Sequence, residues 1–289
     1  MSGTAPAPGT AGQSTTGPAF LDVSGLVVEY PVRGGVVRAV DDVSFTVARG
    51  STLAIVGESG CGKSTIARSI VRLLRPTAGR IVVDGTDIAG LSERRLRPMR
   101  SRVQMVFQDP YASLDPHLSA QEIVAEPLRR RGVRSAAERR AEAARLIDRV
   151  GLPASALERR PAEFSGGQRQ RIGIARALAS RPDLLVCDEA TSALDVSVQA
   201  QVLDLLREIQ RETRLTYVFI SHNLGVVREI SQEVVVMRAG RLVESGATDR
   251  VLAAPRHEYT RALRRAALDP AVIRGRKPRG LVAAVSPPA

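Results

Sequence analysis

The fold is decided by the stretch Gly57-Glu58-Ser59-Gly60-Cys61-Gly62-Lys63-Ser64, which matches the phosphate-binding pattern G-x-x-x-x-G-K-[ST]. An apolar run at 52–56 precedes it and a helical pattern at 63–74 follows it, the strand–loop–helix order that the pattern requires. Glycines allow backbone N–H groups to surround a phosphate, and the following helix adds its positive end. Lys63 supplies a charge for the β- and γ-phosphates, and Ser64 offers a hydroxyl to Mg²⁺. The stretch therefore predicts a site for a nucleoside triphosphate with Mg²⁺, and the alternative is a glycine-rich turn with a chance lysine.

A second strand-like run, Leu184 to Cys187, ends in the two acids Asp188 and Glu189. Asp188 is expected to hold Mg²⁺, directly or through water, as the acid-ended strand does beside other phosphate-binding loops. Glu189 is expected to orient or deprotonate the attacking water. The alternative is a pair of surface acids after a strand, and the presence of the phosphate-binding loop makes the catalytic interpretation the better one.

A third motif, Ser165-Gly166-Gly167-Gln168, opens a helix that is predicted over 165–180. Ser165 and Gln168 have the spacing of a capping box, which is a purely structural explanation. Two glycines in a first turn weaken a helix by roughly 1 kcal/mol each, whereas bare amides at a helix start suit an anion. We therefore predict that this helix start contacts a phosphate and that the glycines are tolerated for that reason.

Strands and helices alternate along the chain, which predicts an α/β domain with a mostly parallel sheet. Arg33-Gly34-Gly35 is predicted to be a turn between two early strands, and residues 110–180 are predicted to be a helical insertion. The remaining strands are expected at 26–28, 43–47, 81–83, 103–107, 216–220 and 233–238, and the remaining helices at 196–212 and 223–230.

Composition places the chain among ordinary globular proteins, with 289 residues, 44% apolar and 25% charged. This excludes collagen-like, coiled-coil and wholly disordered chains, and two cysteines favour a reducing compartment over a disulfide scaffold. The net charge of +12 would suit nucleic acid, but Trp is absent and aromatics reach only 3%, so no nucleic-acid partner is expected. Residues 1–19 lack the basic start and apolar block of a secretory signal, and we expect a disordered tail there.

In this order, the motifs resemble those of the ATPase subunits of ATP-binding cassette (ABC) transporters, over about residues 21–253. The resemblance implies a phosphate-loop NTPase of the α/β class, with a RecA-like parallel-sheet core, an antiparallel β subdomain and an inserted helical subdomain at about 109–179. It implies an ABC ATPase domain at 20–254 and a C-terminal extension of the oligopeptide-transporter type at 255–289. It also implies two such domains placed head to tail, with each ATP between the phosphate loop of one and the 165–168 signature of the other.

The same resemblance implies roles for individual residues. Gln108 matches the glutamine that touches Mg²⁺ and senses the γ-phosphate, and His222 matches the histidine that contacts the γ-phosphate. Asp195 lies in a segment that crosses to the partner subunit, and Tyr30 resembles the aromatic that stacks on adenine, or it simply ends a strand. The implied catalytic residues are Lys63, Gln108, Glu189 and His222, and the implied Mg²⁺ ligands are Ser64, Gln108 and Asp188. The residues implied to contact nucleotide are Tyr30, Gly57, Glu58, Ser59, Gly60, Cys61, Gly62, Lys63, Ser64, Thr65, Ser165, Gly166, Gly167, Gln168 and Asp195.

Within the family, the segments 107–116, 126–128 and 257–263 resemble the oligopeptide, dipeptide and nickel importers. The tail motif differs from that of the group at Glu258, where the group has proline. No cysteine follows Cys187, which excludes the iron–sulfur cluster that some members carry in their tail. The resemblance implies ATP-driven uptake of peptides at the cytoplasmic face of the cell membrane. Its partners would be two membrane permease subunits contacting residues 111–118, a second identical or related ABC ATPase, and an extracellular substrate-binding protein. The alternatives are the ATPase of a drug or antibiotic exporter and a soluble, non-transport ABC ATPase.

Overall fold

The computed structural model describes residues 19–268 and confirms the predicted α/β fold with a parallel-sheet core. Residues 1–18 of the predicted tail and 269–289 of the predicted extension lie outside the described part, while Ala19 is already the first residue of a strand. The strands are β1 (Ala19–Val32), β2 (Gly35–Ala48), β3 (Thr52–Gly57), β4 (Ala78–Val83), β5 (Thr86–Asp87), β6 (Val103–Val106), β7 (Leu184–Asp188), β8 (Thr216–Ile220), β9 (Glu233–Arg238) and β10 (Arg241–Ala247). The helices are α1 (Lys63–Ile70), α2 (Glu93–Leu96), α3 (Met99–Arg102), α4 (Pro110–Ser113), α5 (Ala120–Arg130), α6 (Ala136–Arg149), α7 (Gly166–Ala179), α8 (Val196–Thr213), α9 (Leu224–Ile230), α10 (Thr248–Ala253) and α11 (Glu258–Leu268).

The core sheet has six strands in the order β10-β9-β3-β8-β7-β6. The five strands from β9 to β6 are parallel, and β10 joins the edge as an antiparallel strand. Every residue of β3, β7 and β8 is buried, because the sheet packs against other elements on both faces. Since parallel strands end at the same edge, this order brings the segments that follow β3, β6, β7 and β8 together at one edge.

Four antiparallel strands form a second sheet in the order β2-β1-β4-β5. The hairpin of β1 and β2 turns at residues 33–34, where the sequence predicts a turn. Leu26 and Val43 of this hairpin are fully buried in one cluster with Ile55 of β3 and Ile66 of α1. The second sheet therefore packs on the strand and the helix that flank the phosphate-binding loop.

Helix α1 is shorter than the sequence pattern predicts, since it ends at Ile70 and not at Leu74. Arg72 adopts the left-handed conformation, with φ 55°, and the N–H groups of Leu73 and Leu74 both donate to the carbonyl of Arg68. This closure ends the helix. The prediction was too long because Leu73 and Leu74 continue the apolar pattern of the helix, although they lie beyond its end.

The insertion between β6 and β7 contains α4 to α7, as the sequence predicts. Its apolar residues, among them Ile123, Leu128, Leu146 and Ile172, share one buried cluster with β7, β8 and α8. The insertion is therefore joined to the core sheet through a continuous apolar interface, with α7 as the helix that contacts both.

The C-terminal elements pack on the face of the sheet formed by β3 and β9. Val251 of α10 and Tyr259 of α11 are buried in one cluster with Val56 and Val236. No strand was predicted at β10 and no helix at α10 or α11, so the structure adds these three elements. Across residues 19–268, no helix combines the length and the apolar character needed to span a bilayer.

Candidate functional site

The phosphate-binding loop is held closely by its neighbours, which leaves no room for side chains at two of its glycines. A Cβ on Gly57 would lie 2.3 Å from the carbonyl oxygen of Met237, and one on Gly62 would lie 2.3 Å from that of Ala39. Gly62 also has a φ of 104°, which side chains disfavour. The loop is thus held closely between β9 and β2, and the missing side chains at Gly57 and Gly62 allow this close approach.

Lys63 is buried and its ammonium group lies over the loop, where Nζ donates to the carbonyls of Gly57 at 2.9 Å and Glu58 at 2.7 Å. A lysine with only 5% of its surface exposed needs such partners, because an unpaired buried charge is costly. These contacts hold the ammonium group beside the first residues of the loop, in the cleft where a phosphate would bind.

Ser64 and Asp188 meet although they lie on α1 and β7. Ser64 Oγ donates to Asp188 Oδ1 at 2.9 Å. Burial raises the pKa of Asp188, and the hydrogen bond from Ser64 opposes that rise. Within residues 19–268, no three acidic, histidine or cysteine side chains are grouped to hold a metal by themselves. One carboxylate and one hydroxyl beside a phosphate loop nevertheless suit Mg²⁺ that arrives with a nucleotide.

Glu189 lies between two other predicted catalytic residues. Gln108 Nε2 donates to Glu189 Oε2 at 2.9 Å, and His222 Nδ1 lies 3.4 Å from Glu189 Oε1. The hydrogen bond to His222 lowers the pKa of Glu189, which keeps it anionic as a base must be. Glu189 has a φ of 47°, a strained conformation for this residue type, and its N–H donates to the carbonyl of Ile220.

These contacts form one cleft at the edge of the core sheet. It is lined by Ser59, Gly60, Gly62, Lys63, Ser64, Thr65, Gln108 and Glu189. Two further residues contact residues of this lining: Asp188 accepts a hydrogen bond from Ser64, and His222 lies beside Glu189. The strand order thus brings together the four implied catalytic residues and the three implied Mg²⁺ ligands, which are spread along the chain from Lys63 to His222.

The signature at the start of α7 does not line this cleft. Ser165 and Gln168 form the capping box that their spacing predicts, with the N–H of each donating to the side chain of the other at 3.0 and 3.3 Å. A Cβ on Gly167 would lie 2.3 Å from Val198 Cγ1, whereas one on Gly166 would meet only Leu194 at 3.9 Å. The sequence analysis explained both glycines by a phosphate contact. For Gly167 that explanation is incomplete, because the close packing of α8 also requires a residue without a side chain there.

Two further predicted nucleotide contacts have structural partners of their own. The Tyr30 hydroxyl lies 3.5 Å from Thr65 Oγ1, so the ring stands beside the first turn of α1. Asp195 is the N-cap of α8, where its Oδ1 accepts the N–H of Val198 at 2.9 Å. Tyr30 lies near the phosphate-binding loop, and Asp195 lies beside the signature helix.

Sequence reasoning missed one residue at the site, Tyr259. Its hydroxyl accepts a hydrogen bond from the N–H of Glu58 at 3.0 Å, which links α11 directly to the phosphate-binding loop. The only signal in the sequence was the tail motif at 257–263, whose pattern carried no indication of where in the fold it packs.

Known proteins resemble this chain over most of its length. The sequence profile described as ABC transporter matches residues 40–192. A probable peptide ABC transporter ATP-binding protein of Sinorhizobium fredii is 52% identical over 265 residues, covering 89% of this chain and 75% of the relative. The oligopeptide transport ATP-binding protein AppF of Bacillus subtilis is 50% identical over 252 residues, covering 84% of this chain and 77% of AppF. The ATP-binding cassette MJ0796, solved as a dimer in a post-hydrolysis state with ADP and Pi, matches with a TM-score of 0.74 and 29% identity, covering 79% of this chain and 98% of that one.

Proposed function

Because this chain belongs to the ABC transporter family, we propose that it is the ATP-hydrolysing motor subunit of an importer for peptides. The observation that carries the proposal is the identity of 50–52%, over 84–89% of the chain, with relatives named as peptide or oligopeptide transport ATP-binding proteins. The cleft supports it, since it holds an anion loop, a buried lysine and a positioned carboxylate within one site.

The chemistry follows from the contacts around Glu189. Loop amides and Lys63 bind the phosphates of ATP, and Ser64 with Asp188 and Gln108 would hold Mg²⁺. When bound, Mg²⁺ neutralises charge on the transferred phosphoryl group. Glu189 accepts a proton from the attacking water, and its two oxygens are fixed by Gln108 and His222. Such positioning supplies much of the catalysis of phosphoryl transfer.

A second ATPase subunit is part of the proposal. The signature at 165–168 and Asp195 lie outside the cleft of their own chain, so they are available to an ATP held by a partner. The N-terminus of α7, a helix of 14 residues, offers an anion the N–H groups of Gly166 and Gly167, which the capping box of Ser165 and Gln168 does not use. We propose a pair of cassettes, identical or related, that closes on two ATP molecules.

Residues 111–118 are proposed to contact the permease. Tyr111 is 66% exposed, and the guanidinium of Arg169 lies over its ring, 3.4 Å from the centre. Arg176 donates to the carbonyl of Ser113, so the segment is attached to α7 at two points. Helix α7 begins at the signature. A permease that displaces Tyr111 would therefore also displace the signature, and through it change the contact with the ATP held by the partner.

The proposal is tested by isolating the tagged chain from detergent-solubilised native membranes and identifying what accompanies it. Two polytopic permeases of the peptide-importer class, with a second ATPase and an adjacent substrate-binding protein, are expected. The matched variants are Tyr111→Asp, expected to lose the permeases, and Leu73→Asp, expected to keep them at another exposed apolar site (57% against 66% for Tyr111). Exporter-type membrane proteins, or ribosomal proteins and nucleic acid without permeases, would overturn the importer assignment in favour of the other two candidates.

A further inference from the structure

The first peptide group of the phosphate-binding loop is held from both sides. This group consists of the carbonyl of Gly57 and the N–H of Glu58. The carbonyl accepts a hydrogen bond from Lys63 Nζ at 2.9 Å, and the N–H donates to the hydroxyl of Tyr259 at 3.0 Å. Because a peptide group is planar and rigid, a restraint on its N–H also orients its carbonyl. Tyr259 therefore acts on the same group that positions the ammonium of Lys63.

Tyr259 is itself held in place by several contacts. Its own N–H donates to His257 Nδ1 at 3.1 Å, and the N–H of His257 donates to Glu244 Oε2 at 3.1 Å, which fixes the start of α11 on β10. The guanidinium of Arg238 lies 5.2 Å from the centre of the Tyr259 ring. Only 8% of Tyr259 is exposed, and its ring packs with apolar residues of β3 and β9. The hydroxyl therefore meets Glu58 from a fixed direction.

The chemistry of the hydroxyl suits a permanent contact. Burial raises the pKa of Tyr259, so the phenol stays neutral at physiological pH. A neutral phenol oxygen accepts the Glu58 N–H without placing a negative charge beside the phosphates of ATP.

We propose that Tyr259 is a positioning residue for ATP binding, which acts on Lys63 through the Gly57–Glu58 peptide. The C-terminal helix α11 thereby sets the affinity of the site for nucleotide. This inference rests on the proposed function in one respect, namely that the loop binds ATP. It goes beyond that function because it assigns the C-terminal extension a part in the ATPase site.

We expect removal of the hydroxyl to weaken the binding of ATP in the ground state and the transition state alike, because the Gly57–Glu58 peptide belongs to the loop and not to the reacting groups. Such a uniform loss raises KM and leaves kcat unchanged. The contribution of one hydrogen bond corresponds to a rise of about threefold to tenfold in KM for ATP. We expect the Tyr259→Phe variant to show this rise, with kcat within about twofold of the wild type.

The matched control is Tyr217→Phe. Tyr217 is also a buried tyrosine, but its hydroxyl donates to the carbonyl of Leu206, away from the loop. Both variants lose one buried hydroxyl, so a general loss of stability would affect them equally. The full chain, assembled with its partners, is assayed for ATPase activity over a range of ATP concentrations, and unfolding temperatures are measured alongside.

Hydrogen exchange of the peptide covering residue 58 gives a second measurement that does not depend on turnover. We expect faster exchange there in Tyr259→Phe than in the wild type or in Tyr217→Phe. An unchanged KM for Tyr259→Phe, or equal changes in both variants, would show that Tyr259 is only a packing residue. A wild-type chain that binds no ATP would instead refute the proposed function, so the two failures are distinguishable.

Discussion

Ser64 and Asp188 are 124 positions apart in the sequence and are joined by a hydrogen bond of 2.9 Å. The bond connects the first turn of α1 with the end of β7, the two elements that flank the predicted Mg²⁺ site. Burial raises the pKa of Asp188, and the hydrogen bond from Ser64 opposes that rise, so Ser64 favours the ionised carboxylate that a cation would need.

Substitution of Ser64 by alanine is expected to weaken Mg²⁺ binding, because it removes one ligand and lets the pKa of Asp188 rise further. The Mg²⁺ concentration for half-maximal ATPase activity should increase about tenfold or more. Ser69→Ala is the control, since Ser69 lies on the same helix and its hydroxyl donates only to the carbonyl of Thr65. Equal Mg²⁺ requirements in the two variants would contradict the assignment of Ser64.

Glu189→Gln is expected to reduce the ATPase rate by about 10²- to 10⁴-fold while ATP still binds, because the amide cannot accept the proton of the attacking water. Turnover and equilibrium binding of ATP are measured on the same preparation. Glu229→Gln, at an exposed glutamate paired with Arg207, should retain both properties. If Glu189→Gln retained more than a tenth of the activity, another group would have to be the base.

Gly167→Ala is expected to destabilise the fold by about 1–3 kcal/mol, since the new methyl group overlaps Val198. Gly166→Ala should leave stability nearly unchanged, because its Cβ has an ordinary contact only. Denaturant unfolding checks both values. Adding Val198→Ala to Gly167→Ala should recover part of the loss, whereas failure of that rescue would place the clash elsewhere.

Glu233 provides a prediction of stability against pH. Burial raises its pKa above the ordinary value of 4.5, so the folded state disfavours the charged form. The unfolded chain loses this proton at lower pH than the folded chain does, so the group lowers stability as pH rises above 4.5. Glu233→Gln should therefore raise the unfolding temperature at pH 7.5 and have little effect at pH 4. An equal effect at both pH values would argue against titration of Glu233.

Cys61 lies inside the phosphate-binding loop, and a bulky thiol reagent attached to it is expected to block ATP binding. Burial raises the pKa of this thiol, so labelling should be slow at neutral pH. Mass spectrometry establishes the labelled site, and nucleotide binding is then measured. A Cys61→Ala variant, which retains the buried Cys187, should be insensitive to the reagent. Normal ATP binding by fully labelled protein would contradict the prediction.

The sequence predicted most of the fold because its signals are local. The strand before Gly57, the helix after it and the acid-ended run at 184–189 could each be recognised within a few residues. The errors occurred where tertiary contacts decide. Helix α1 ended early at a left-handed Arg72, and β10 forms because its partner β9 is present beside it. The functional roles of the individual site residues stay predictions until the variants above are measured.

By itself, the sequence determined the class of the protein and its chemistry, because phosphate binding depends on short motifs whose spacing is fixed along the backbone. Only the tertiary structure decided which motifs meet. Strand order brought Gln108, Asp188, Glu189 and His222 to the sheet edge where the loop lies, since parallel strands end at one edge whatever their order in the chain. It also brought Tyr259 to Glu58, a contact between residues 201 positions apart that arises from packing of α11 on the sheet and has no local pattern.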